Sequence, residues 1–214
     1  MLTHYLTIKT NGEHEFEIKK SRFICQLARV ADETSAQKFI AACKKKHYKA
    51  THNCSAYLIG EHDEYQRAHD DGEPVGTAGV PMLEVLRREH LKNVVAVTTR
   101  YFGGIKLGAG GLIRAYSNSV SQALAQIGLV EGKLQQTLLA TIDYAQLGKV
   151  NHYLETENIA IIDTTYLTQV TLTLSIDQNR LKSVQTQLTD LLAGQVAFKL
   201  GDKSYHEIAY HRPK

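Results

Sequence analysis

Residues Arg100–Tyr116 read RYFGGIKLGAGGLIRAY, with five glycines and three cations in seventeen positions. A glycine gives up more backbone freedom on folding than any other residue, so a loop this rich in glycine implies a close approach to its backbone. Upstream, Val94–Thr99 reads as a buried strand, and downstream Leu112, Ile113, Tyr116, Val120, Ala123, Leu124 and Ile127 stripe a long helix. Strand, glycine-rich turn and helix together aim free backbone N–H groups at an anion. Gly103, Gly104, Gly108, Gly110 and Gly111 would supply that backbone. Arg100 ends the strand, Lys106 sits mid-loop, and Arg114, one turn into the helix, leans back toward its start, so the three cations are expected to converge on one site.

Neither common free-nucleotide motif is complete. Gly103 and Gly108 have the Walker spacing, but Ala109 and Gly110 stand where Lys and Ser or Thr belong. Gly108–Ile113 fails the dinucleotide fingerprint at its last position. The anion is therefore expected on a nucleic acid or ribonucleoprotein, with Tyr101 and Phe102 available to stack on a base. The alternative stays open: glycines that permit tight helix–strand packing, and cations that are merely solvated.

The rest of the chain frames this loop. Tyr5–Lys9 and Glu13–Lys19 read as strands joined at Asn11-Gly12, a hairpin signal, and Ser21–Val30 as a third strand. Ala36, Phe39, Ile40 and Cys43 recur at helical spacing, ahead of Lys44-Lys45-Lys46 in the last turn. Asn53–Gly60 reads as a strand, Glu61–Val75 as a hydrophilic loop, and Thr77 as the cap of a helix to about His90. After Gly128, a strand at Leu134–Tyr144 precedes a helix capped by Asp143. Strands at Ile159–Tyr166 and Gln169–Ile176 follow, then a helix capped by Asp177 and ended by Gly194, and a strand from Val196. That β-α-β-β-α-β order is the ferredoxin-like split unit, so the expected fold is α+β with domains 1–131 and 132–214.

Composition narrows the class. Of 214 residues, 43% are hydrophobic and 22% charged, as in an ordinary globular protein, and no membrane span or signal peptide is read. Three scattered cysteines, Cys25, Cys43 and Cys54, suit reduced thiols in the cytoplasm. The formal net charge is only +3, but Leu91–Val130 contains no acid while carrying Lys92, Arg100, Lys106 and Arg114.

A second constellation is Asp70, Asp71 and Glu73 in HDDGEPVGTAG. Such carboxylates can hold a divalent cation or act as acid and base. Asp-Gly and Glu-Pro are also turn formers, and acids ahead of a helix complement its dipole, so a structural role is favoured. Pairing of these acids with Arg100 or Arg114 is a third reading. His52 and Cys54 share a strand face, but no zinc spacing links the cysteines, and no metal or cofactor is expected.

DDGEPVGTAGVPML (Asp70–Leu83) followed by VTTRYFGGIKLGAGGLIRAY (Val97–Tyr116) resembles the signature of the YigZ/IMPACT family. KKSRFIC (Lys19–Cys25) and THNCSAY (Thr51–Tyr57) match its earlier blocks, and the resemblance spans the chain. It implies an N-terminal α/β sandwich like a ribosomal-protein second domain and a C-terminal ferredoxin-like domain, each similar to a domain of elongation factor G. It also implies a role in translational control. Eukaryotic relatives compete with an activator of a stress kinase through a different domain that is not read here, so that mechanism is not expected to carry over. The expected function is RNA or ribosome binding that modulates translation. Arg100, Tyr101, Phe102, Lys106 and Arg114 would contact the ligand, helped by the loop glycines and flanked by His52, Asp70, Asp71 and Glu73. A phosphohydrolase or transferase using the acidic turn, and a protein-interaction module with a partner in translation, are the alternatives; oligomeric state is open.

Overall fold

The structure, a computed structural model, describes residues 1–210, so the last four residues of the expected 132–214 domain lie outside it. The chain divides into two compact units. One comprises Met1, Tyr5–Glu131 and the described residues from Ile208 to Tyr210; the other comprises Leu2–His4 and Gly132–Glu207. The fold is α+β. Among the described residues no helix is long and apolar enough to cross a membrane.

Strand β1 (His4–Ile8) is followed by β2 (Gly12–Ile18), β3 (Ser21–Arg29), helix α1 (Glu33–Lys46), β4 (His52–Ile59), β5 (Tyr65–His69), α2 (Gly79–Arg88), β6 (Val94–Tyr101) and α3 (Ala109–Ile127). An antiparallel sheet in the order β2-β3-β6-β4-β5 forms the middle of the first unit. Because strand side chains alternate between faces, each central strand serves two cores. Phe23, Cys25, Leu27, Cys54, Ala56, Leu58, Val94 and Ala96 pack against α2 and α3. Ala28, Tyr57, Ile59, Val95 and Val97 pack against Ala36 and Cys43 of α1. Covered on both faces, β4 and most of β6 are buried along their length, which is why they read as continuous apolar runs.

The second unit is built on β7 (Leu129–Ile142, from Gly132 onward), α4 (Leu147–Thr156), β8 (Ala160–Tyr166), β9 (Val170–Asp177), α5 (Leu181–Leu191) and β10 (Ala197–Tyr210, up to Glu207). The central β7 pairs with β9 and β10, and β9 pairs with β8, giving the ferredoxin-like order β10-β7-β9-β8. Strict alternation along β7 and β9 puts Leu138, Ala140, Ile142, Val170, Leu172, Leu174 and Ile176 under Val150 and Leu154 of α4 and Val184 and Leu188 of α5.

Four local expectations are corrected. Asn11-Gly12 does not close a β1–β2 hairpin: β1 runs beside β7, and the Asn11 side chain instead accepts the Arg29 amide at 2.9 Å. The hairpin forms one strand later, between β2 and β3, through Lys19-Lys20 at φ 46° and 63°. The stretch Glu61–Val75 contains the edge strand β5 and, in Glu73, a buried side chain. Thr77 does not cap α2, since its hydroxyl donates to Pro74 O at 2.7 Å, and Asp177 does not cap α5, whose N-cap is Arg180.

Two lysines in left-handed backbone strain the β2–β3 turn, where Asn-Gly is the favoured pair. Replacing Lys19-Lys20 by Asn-Gly is expected to raise unfolding stability by about 1 kcal/mol, measured by urea denaturation; no gain would show that the lysine side chains offset the strain.

Candidate functional site

The register places His52 opposite Arg100 and Arg100 opposite Phe23, one row across β4, β6 and β3. Alternation turns this row toward α2 and α3, so the guanidinium of Arg100 enters the unit and becomes 5% exposed. A buried charge is tolerated only when paired and hydrogen-bonded. Its partner is Glu73, 7% exposed, whose Oε1 accepts from Arg100 Nη1 at 2.7 Å and from the Tyr116 hydroxyl at 2.8 Å. Arg100 Nη2 reaches Ser21 Oγ at 3.4 Å, and its Cζ lies 5.4 Å from the ring centres of Phe23 and Phe102. Cys54 Sγ lies 2.9 Å from Asp70 O and 3.3 Å from the Tyr116 hydroxyl. Burial pushes the Cys54 thiol up to about 12 and raises Tyr116 far above an ordinary phenol, with Cys54 and Glu73 adding to the second effect.

The acidic turn is built from the same physics. Asp70 accepts three backbone amides, Gly76 at 2.8 Å, Ala78 at 3.0 Å and Gly79 at 2.8 Å, and so satisfies the free donors at the start of α2. Gly79 has to be glycine because a Cβ there would lie 2.5 Å from His69 N. Asp71 accepts from Lys44 Nζ at 2.6 Å and from the Asn53 amide at 2.7 Å. Burial alone would raise its carboxyl, but the Lys44 and Asn53 hydrogen bonds outweigh it and hold the group below its usual value. The Asp71 carbonyl lies 2.9 Å from His52 Nδ1; a carbonyl only accepts, so Nδ1 carries the proton and Nε2 faces Glu73 Oε2, 3.8 Å away.

Within the glycine loop, Gly103 is held by close approach, since a Cβ would lie 2.0 Å from Lys20 C and O; its amide donates to Ser21 Oγ at 3.2 Å. Gly104 and Gly108 adopt φ of 84° and 73°, values that favour glycine. Helix α3 begins with no side-chain cap and no acid in its first turn, leaving its first amides available. Of that first turn, Ala109 lines a cavity of about 400 Å³, whose walls also include Arg100, Glu73, His52, Phe102, Lys106 and the N-cap Gly108.

The structure thus brings Arg100, Lys106, Phe102, Gly108, His52 and Glu73 together, but not all three expected cations. Arg114 is exposed because Leu112, Ala115 and Tyr116 take the buried face of α3, and it is not among the cavity walls, although it leans back as expected, its Nη1 3.9 Å from where a Cβ on Gly110 would stand. Tyr101 points to the opposite sheet face, where its hydroxyl meets His47 Nδ1 at 3.0 Å and Arg22 stacks 4.7 Å from its ring centre. Gly104, Gly110 and Gly111 shape the loop and the first turn of α3 without lining the cavity. Asp70 and Asp71 brace the turn that carries Glu73. Tyr116 and Ser21 were not singled out; a Tyr in an apolar helical stripe needs a partner for its hydroxyl, and that was the available signal.

All three cysteines are buried, and desolvation pushes their thiols up to about 12 for Cys25, about 11 for Cys43 and about 12 for Cys54. Thiolate is the reactive form, so iodoacetamide at pH 8 is expected to leave all three unmodified in the native protein and to alkylate all three after urea unfolding. Rapid native alkylation of Cys54, read by mass spectrometry, would contradict this environment.

The sequence and the fold have known relatives. The Impact N-terminal domain family matches residues 19–124, and a domain of unknown function, DUF1949, matches residues 141–195. IMPACT family member YvyE of Bacillus subtilis is 50% identical over 100% of this chain and 99% of its own length. IMPACT family member YigZ of Escherichia coli is 35% identical over 84% of this chain and 89% of its own. A crystal structure described as a hypothetical protein covers 92% of this chain and 97% of its own at 32% identity, with a TM-score of 0.60. Half identical to a relative along its whole length, the chain belongs to the IMPACT family.

Proposed function

We propose that the protein binds RNA, alone or on the ribosome, through the cavity at the start of α3, and that this binding modulates translation in the cytoplasm. The observation that carries the reading is an uncapped helix start beside Lys106 and beside Arg100, whose buried Nε–H has no hydrogen-bond partner among the described residues. Free amides, the helix dipole and the Lys106 cation suit a phosphate oxygen, while the charge of Arg100 is already balanced by Glu73 and only its N–H remains to donate. Phe102, 47% exposed at the cavity edge, offers a face for stacking. The role in translational control that the family resemblance implies supports the choice of target.

The hydrolase alternative finds less support. Asp70 is committed to backbone amides, Asp71 to Lys44 and Asn53, and Glu73 Oε1 to Arg100 and Tyr116. Their geometry is that of a braced turn.

Arg100 is a poor probe of this proposal, because removing one partner of a buried ion pair costs about 3–5 kcal/mol. Ala109→Asp is better: it sets a carboxylate at the first helical position, where it suits the helix dipole and competes with an incoming anion. Ala109→Asp and Lys106→Ala are each expected to weaken RNA or ribosome binding about tenfold at low salt, the scale of one charge-assisted contact. Wild-type affinity should also fall steeply with ionic strength. Unchanged affinity in both folded variants, measured by fluorescence anisotropy, would return the loop to a packing role.

A further inference from the structure

The cavity holds more than a phosphate needs. Its volume of about 400 Å³ falls among sites that enclose a small molecule. Its walls are also of two kinds: Pro74, Phe102 and Leu112 are apolar, whereas Arg100, Glu73 and His52 present polar atoms.

Two of those polar groups have unused valence. Arg100 is 5% exposed and one of the cavity walls, and its buried Nε–H has no hydrogen-bond partner among the described residues. On Glu73, Oε1 takes both recorded hydrogen bonds, from Arg100 and Tyr116, while Oε2 faces His52 Nε2 at 3.8 Å, beyond hydrogen-bond distance. Arg100 and Glu73 both line the cavity, and the Arg100 guanidinium lies beside the aromatic ring of Phe102. A phosphate supplies acceptors only and leaves Glu73 unanswered. A nucleobase supplies a flat face for the ring and an edge carrying both N–H donors and acceptors.

Building on the RNA-binding reading, we infer that the cavity receives one unpaired nucleotide of the strand, with its phosphate on the first turn of α3 and its base edge against Arg100 and Glu73. A base in a duplex has that edge occupied, so the site selects single strands, loops or ends. Selection of this kind follows from a base edge held against Arg100 and Glu73; a basic groove that met only the backbone would accept a duplex equally well.

The test compares probes on the intact chain by calorimetry and fluorescence anisotropy. One pair is a single-stranded ten-nucleotide RNA and the same strand in a blunt duplex. The other is a set of the four nucleoside 5′-monophosphates and ribose 5-phosphate. We expect at least tenfold preference for the single strand and at least tenfold tighter binding of one or more monophosphates than of ribose 5-phosphate. Phe102→Ala, at an exposed position that leaves the Arg100–Glu73 pair in place, is expected to remove most of the second difference. Salt-sensitive RNA binding with equal affinity for duplex and single strand would overturn this inference and leave the phosphate reading standing. Equal binding of ribose 5-phosphate and all four monophosphates would do the same. Monophosphates that bind tighter than the single strand would make a free nucleotide the ligand and overturn the strand as its source. No binding of any probe would overturn both.

Discussion

The buried pair between Arg100 and Glu73 is the interaction on which the first unit depends. Two charges that would be prohibitive alone are held at 2.7 Å, and Tyr116 from α3 adds a second hydrogen bond to the same carboxylate oxygen. Three separate pieces of chain thereby become one construction: the end of β6, the turn after β5, and α3. The rest follows from keeping Glu73 in place. Asp70 ties the turn to the start of α2, and Asp71 ties it to β4 and to Lys44 of α1. The acids look like catalysis in the sequence because they are clustered; in the structure they are clustered because each fastens a different neighbour.

The glycine loop then has two distinct causes. Gly103 is small because the β2–β3 turn lies against it, whereas Gly104 and Gly108 are glycine because of left-handed backbone. Both causes deliver the chain to the start of α3 without a side chain to cap it. Packing and anion binding, which competed as explanations of the same sequence, are compatible here: tight packing at Gly103 positions the open helix end beside Lys106 and Arg100.

What could be read from the sequence was what depends on local period. Alternation in β7 and β9, the helical stripes of α1 and α3, and the β-α-β-β-α-β order are properties of consecutive residues. What could not be read depends on partners far along the chain. Asn11-Gly12 has the composition of a hairpin, yet Asn11 is used by Arg29 of β3 and β1 is paired with β7. Glu73 sits in a polar run and is buried because a guanidinium 27 residues later needs it. Arg114 stays off the cavity walls for a helical reason: with Leu112, Ala115 and Tyr116 packed inward, residue 114 faces outward, and its guanidinium leans back along the surface toward Gly110. Tyr101 lies one residue past Arg100 and so on the opposite sheet face, against His47 and Arg22.

The central claim is that the open start of α3 is where phosphate is bound. The most direct measurement is a titration of the isotope-labelled protein with inorganic phosphate and then a short single-stranded RNA, following backbone amides and arginine Nε–H signals by NMR. The account predicts that the amides of Ala109, Gly110 and Gly111 and the Nε–H of Arg100 shift first and saturate together, with the Lys44–Lys46 run little affected. Shifts confined to Arg114 or to the lysines of α1, with the start of α3 silent, would contradict it.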